Sequence, residues 1–123
     1  MFELNKYQFV FTHFKARGDE FSDIVPERYH TMKLHFTKCN VYEVLNEDGD
    51  LSLVSEGLGI CSPKDVYVKA SGRRNALAHA VSMFDKEFRT QIWRKYFSTV
   101  SKKERTLVHN TLKLSVQGGK SVL

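Results

Sequence analysis

The spacing of apolar residues changes once along this chain, and that change limits what it can fold into. Up to Cys61 apolar and polar side chains tend to alternate, the two-residue period of strands. From Gly72 onward they recur every three to four residues, the period of a helix. Strands first and helices after predict an α+β domain. The expected architecture is a four- or five-stranded antiparallel sheet followed by two or three C-terminal helices packed on one face. With 123 residues there is enough chain for one domain with a real core. The expected division is a sheet over 1–68, a helical part over 71–114 and a flexible tail over 115–123.

Within the first half, residues 6–16 (KYQFVFTHFKA) place Tyr7, Phe9, Phe11 and His13 on one face and Val10, Thr12 and Phe14 on the other. Arg17 to Arg28 reads as a loop, marked by Gly18, its acids and Pro26, with Phe21, Ile24 and Val25 tucked onto the body. Tyr29 to Thr37 predicts a second strand, with Met32, Leu34 and Phe36 opposed to Thr31, Lys33, His35 and Thr37. Cys39–Leu45 and Leu51–Cys61 flank an Asp-Gly step in Asn46-Glu47-Asp48-Gly49-Asp50, a hairpin signal. The acids of that step lack calcium-loop spacing and read as turn chemistry. Gly57 and Gly59 mark a bulge or the close approach of another backbone. Val66-Tyr67-Val68 would add a short fifth strand.

In the second half Leu77, Ala80, Val81, Phe84, Phe88, Ile92, Tyr96 and Phe97 hold one apolar stripe. A single helix of this extent, ~40 Å, would overhang a small sheet, so a break near Phe84 with Asp85 opening a second helix is expected. Trp93 lies off the stripe and suggests a subunit contact. Ser101 to Glu104 has capping-box spacing before a last short helix.

Ser71-Gly72-Arg73-Arg74-Asn75 opens the helical half. Ser71 is expected to cap the helix, Gly72 to allow close approach, and Arg73 and Arg74 to place two cations where the helix dipole prefers anions. Free N–H groups and two guanidinium forks make a site for phosphate or carboxylate. Charge supports this. Residues 1–60 carry 6 Lys/Arg against 10 Asp/Glu, a net of −4, whereas residues 61–123 carry 13 against 4, a net of +9. Such asymmetry points the second half at an anionic partner. Lys69, Tyr67 and Arg89 are the expected supports, since cations interleaved with aromatic rings suit phosphorylated, base-containing ligands.

No catalytic motif and no Walker or dinucleotide-binding loop is present, so a non-catalytic protein without cofactor is expected. The five histidines and two cysteines have no zinc spacing, and no bound metal is expected. No apolar run approaches the ~20 residues that span a bilayer. MFELNKYQF has neither the basic nor the apolar region of a signal peptide, so a cytoplasmic protein is expected, with reduced cysteines.

The run Cys61-x-Pro63-x-Asp65-x-Tyr67-x-Lys69-x-x-Gly72-Arg73-x-x-Ala76-Leu77-x-x-Ala80, followed by Arg89-x-x-Ile92-Trp93-x-x-Tyr96, resembles a pattern in short bacteriophage-encoded accessory proteins. The layout is similar to that of the Thoeris anti-defence sponges. That resemblance implies an antiparallel sheet followed by helices, and a protein that sequesters a cyclic ADP-ribose signal without cleaving it. Gly72, Arg73 and Arg89 are the positions that match. Together these readings give a phage-type, homo-oligomeric binding protein in the host cytoplasm that takes up an anionic nucleotide second messenger. A nucleic-acid-binding or host-protein-blocking module using the same basic face is the alternative.

Overall fold

The computed structural model describes residues 1–63 and 66–100. The last short helix and tail expected beyond Ser101 lie outside the described residues. Four strands form one antiparallel sheet in chain order: β1 (Phe2–Leu4), β2 (Tyr7–Arg17), β3 (Lys33–Val44) and β4 (Leu51–Ile60). Two helices follow, α1 (Lys69–Ala80) and α2 (Lys86–Thr99). The expected fold is therefore the observed one, at four strands and two helices among the described residues.

Local chemistry accounts for the turns. Asn5 has a positive φ of 54° and, with Lys6, turns β1 into β2, a conformation asparagine tolerates. Between β3 and β4 the Asn46 side chain bonds Asp50 twice, and Gly49 adopts φ +85°. Asp50 is thus part of the turn itself, in line with the turn chemistry expected there. Asp85 accepts the Phe88 N–H at 2.8 Å and starts α2, so the helical half does break after Phe84.

Three expectations are corrected. Tyr29–Thr37 and Cys39–Leu45 are not two strands: β3 runs unbroken from Lys33 to Val44, and Tyr29 sits in a short 3₁₀ turn. Nothing at Lys38–Cys39 interrupts pairing, because both neighbouring strands continue past it. Val66–Val68 is extended but pairs with no strand; Tyr67 turns its ring onto the sheet instead. Ile24 is exposed at 53%, while Phe21 and Val25 cover the sheet as expected.

Two clusters sandwich the sheet. On one face Phe9, Cys39 and Val41 meet the stripe residues Leu77, Ala80, Val81, Ile92 and Tyr96 of the helices. On the other, Phe14, Leu34, Phe36 and Ile60 pack under Phe21, Val25 and Tyr29 from the loop after β2. Burial drives the Cys39 thiol up to about 12, so it stays protonated and behaves as a small apolar side chain.

α1 lies directly on β4. A Cβ at Gly57 would fall 2.0 Å from the Ala76 carbonyl oxygen, and one at Gly59 would fall 2.9 Å from the Gly72 carbonyl oxygen. Those glycines are the close-approach surface their spacing suggested. The register irregularity lies elsewhere, opposite Val41 and Tyr42. The Ser55 hydroxyl then fastens the end of α1 by donating to the Ala80 carbonyl at 2.6 Å.

Candidate functional site

Where α1 begins, three polar side chains from distant parts of the chain interlock. His13 and Thr37 are cross-strand partners on β2 and β3, on the helix-facing side of the sheet. Their side chains meet at 2.8 Å, Nδ1 to Oγ1. The Tyr67 hydroxyl lies 2.6 Å from the same Nδ1 and 3.3 Å from the Thr37 hydroxyl. The Tyr67 ring stacks on His35 with centroids 4.2 Å apart and planes 4° from parallel. Thr37 is the fully buried polar residue beneath this group.

The electrostatics favour one protonation state. Burial lowers the His13 pKa, and the positive charges of Arg73 and then Lys69 lower it further. A neutral imidazole with its proton on Nε2 leaves the one Nδ1 lone pair to accept, from the nearer Tyr67 hydroxyl at 2.6 Å, with the Thr37 hydroxyl within bonding distance of both groups. Protonating His13 would require Nδ1 to donate and the hydroxyl proton on it to turn away. The cluster is thus wired for a neutral histidine in a cationic field.

Helix geometry moves several expected site residues. α1 starts at Lys69, with Val68 as the cap position and no side-chain cap, so Ser71 does not cap it. Ser71 fails as a cap because the Gly72 N–H already bonds the Val68 carbonyl, which places Ser71 in the first turn. Gly72 does permit close approach, but to the sheet: a Cβ there would fall 2.1 Å from Thr37 Oγ1. Lys69, Tyr67 and Arg73 gather around His13, whereas Arg74 does not. Its guanidinium lies 4.8 Å over the Trp93 ring, half-buried between the helices, and burial lowers its pKa. Asn75 rests over Gly59 of β4. Arg89 donates to the Phe84 carbonyl at 2.9 Å, in the turn at the opposite end of α1. His79 accepts the Leu58 N–H at 3.2 Å, which ties α1 to β4. Trp93 packs against Tyr96 and Phe97 within its own subunit.

His13, His35 and Thr37 were not singled out as site residues from the sequence. Alternation already placed each on a definite face, but the register that sets His13 opposite Thr37 is not written in either strand alone. His13 and His35 do not face each other, since His35 pairs with Lys15; Tyr67 bridges them. Among the described residues no group of three or more His, Cys, Asp or Glu side chains could hold a metal ion, and no helix is long and apolar enough to cross a membrane. Cys39 and Cys61 form no disulfide with each other.

No protein-family model, curated protein or solved structure matches the chain.

Proposed function

We propose that this chain is a non-catalytic binding protein that sequesters a small anionic, nucleotide-like ligand where α1 opens onto the sheet. The observation that carries the reading is the Tyr67–His35 stack at the opening of α1, the helix that carries Lys69 and Arg73 in its first turns with their charges felt at His13. Fixed cations next to a hydroxyl-bearing ring are what a phosphate with an attached base requires. The uncapped start of α1 adds backbone N–H groups and the positive dipole end, with no acid in the first turn to compete. Retention without turnover follows from what surrounds His13. Its Nδ1 lies within bonding distance of two hydroxyls, and among the described residues no carboxylate is hydrogen-bonded to it. The resemblance to anti-defence sponges supports a phage protein that withholds a host nucleotide signal.

Native mass spectrometry against cyclic nucleotides, cyclic ADP-ribose isomers and a short oligonucleotide tests this. One intact nucleotide per site, lost in Arg73→Ala and weakened in Tyr67→Phe, is the expected result, and the same spectrum gives the oligomeric state. A chemically altered nucleotide would replace the binding role with an enzymatic one.

One observation favours a second reading. The cross-strand pairs Lys15–His35 and Arg17–Lys33 continue the basic surface away from the site on the same face of the sheet. A nucleic-acid backbone could lie along them. Its affinity would fall steeply with salt, by about one power of concentration per phosphate contacted, whereas a single small ligand gives a shallow slope.

A further inference from the structure

β2 is a central strand for three residues and an edge strand for the rest. β1 pairs only with Tyr7, Gln8 and Phe9, while β2 continues to Arg17. Which backbone groups are left over can be read from the two ends of its ladder with β3. The Lys6 carbonyl accepts the Val44 N–H at 2.7 Å, and the Gly18 N–H donates to the Met32 carbonyl at 2.9 Å. Both are even-numbered positions, so the even residues of β2 point their backbone groups at β3. The odd ones, Phe11, His13, Lys15 and Arg17, point outward. Among the described residues only Arg17 finds a partner there: its N–H donates to the Glu20 carboxylate at 3.0 Å. Asp19 meets the guanidinium of the same arginine at 2.9 Å. The chain's own acids thus occupy the far end of this edge, and among the described residues nothing pairs with the outward backbone groups of Phe11, His13 and Lys15.

We infer that the outer edge of β2 from Phe11 to Lys15 receives an acidic, extended peptide of a partner protein, added as an antiparallel strand in line with β1. Charge selects the partner. Residues 10–17 (VFTHFKAR) hold Lys15 and Arg17 and no acid, so two copies of this edge repel each other while an acidic strand is attracted, and the neutral His13 beside them keeps its Nε2–H to donate to a carboxylate. Register specifies its pattern. A residue opposite Lys15 or His13 shares their face and gains from a carboxylate, whereas one opposite Phe11 gains from an apolar side chain. Between them, positions opposite Phe14 and Thr12 suit β-branched residues. In antiparallel order this reads Glu-Val-Glu-Thr-Leu. Main-chain bonds supply the affinity and these side chains the choice of partner.

The test is an NMR titration of the ¹⁵N-labelled chain with a capped peptide containing Glu-Val-Glu-Thr-Leu. The amides of Phe11, His13 and Lys15 should gain protection from exchange, while those of Thr12 and Phe14, already bonded to β3, should not. Lys15→Glu should weaken binding by about tenfold or more and should favour a peptide with lysine in place of glutamate. A peptide N-methylated at the residue opposite His13 should not bind, which checks the backbone contact without altering the protein. Equal binding of the charge-reversed peptide to the wild-type chain overturns the inference. So does binding without protection at the three odd-numbered amides, or no binding at all.

Discussion

Replacing Gly72 by alanine separates a local from a tertiary account of α1. Within a helix, glycine is about 1 kcal/mol less favourable than alanine, so propensity alone predicts that Gly72→Ala stabilises the protein. The packing predicts the reverse. The new Cβ would sit 2.1 Å from Thr37 Oγ1 and 3.0 Å from Thr37 Cβ, and Thr37 is completely buried. Either α1 lifts from the sheet or the threonine abandons its bond to His13. Overpacking of this kind costs about 1–3 kcal/mol, and losing a buried hydrogen bond costs about 1 kcal/mol more. Against the propensity gain, a net loss of roughly 1–3 kcal/mol remains, a fall in Tm of roughly 5–15 °C for a chain of this size. Thermal and urea unfolding followed by circular dichroism would measure it. Thr37→Ala removes the nearest atom, so the double variant should lose less than the two single losses combined. If Gly72→Ala unfolds at or above the wild-type temperature, the helix does not rest on Thr37 as described.

The His13 pKa lies below its unfolded value, so the unfolded chain takes up the proton first and stability falls as pH drops through and below about 6.5, with none of this loss above it. Unfolding midpoints between pH 8 and 5 should slope down on the acid side, and the slope should be shallower in His13→Gln. Asp85→Ala, by removing the bond to the Phe88 N–H, should cost about 0.5–2 kcal/mol in urea unfolding and fray the start of α2. A thiol reagent should label the half-buried Cys61 in the native protein and reach Cys39 only after denaturation, because a thiol held near 12 has almost no thiolate at neutral pH.

What the sequence discloses here depends on how local the cause is. The Asn46–Asp50 turn and the Asp85 cap are set by side chains acting on backbone three or four residues away, and both are legible. Alternation shows the faces of β2 and the first half of β3. It misses β1, although Asn5 between Phe2–Leu4 and Tyr7–Phe9 is a two-residue hairpin signal. The start of α1 is not legible, because Ser71 is a better cap than Val68 and local preference points to the wrong residue. What moves the start back to Lys69 is tertiary: Tyr67 must reach His13 and His35, and Gly72 must lie on Thr37. The same contacts separate the two adjacent arginines. One position along a helix turns a side chain by about 100°, so Arg73 faces the His13 cluster while Arg74 is carried round to Trp93.

These placements bear on how a ligand would be held. An anion site made of a helix cap and two adjacent arginines would depend on one mobile turn. The arrangement found instead rests on three glycines that put α1 against the sheet with no side chain between. Gly57 and Gly59 seat the helix on β4, and Gly72 seats it on β3. The backbone that carries Lys69 and Arg73 is therefore set against the sheet before any ligand arrives, and the Tyr67 hydroxyl ties the incoming segment to His13 and Thr37. A site assembled this way loses little conformational entropy on binding, which favours tight retention of a small ligand. It also couples recognition to folding: a substitution that lifts α1 removes the charges and the ring from His13 together. Binding should accordingly fail in Gly57→Ala, whose Cβ would fall 2.4 Å from the Ala80 N, although that residue touches no part of the site.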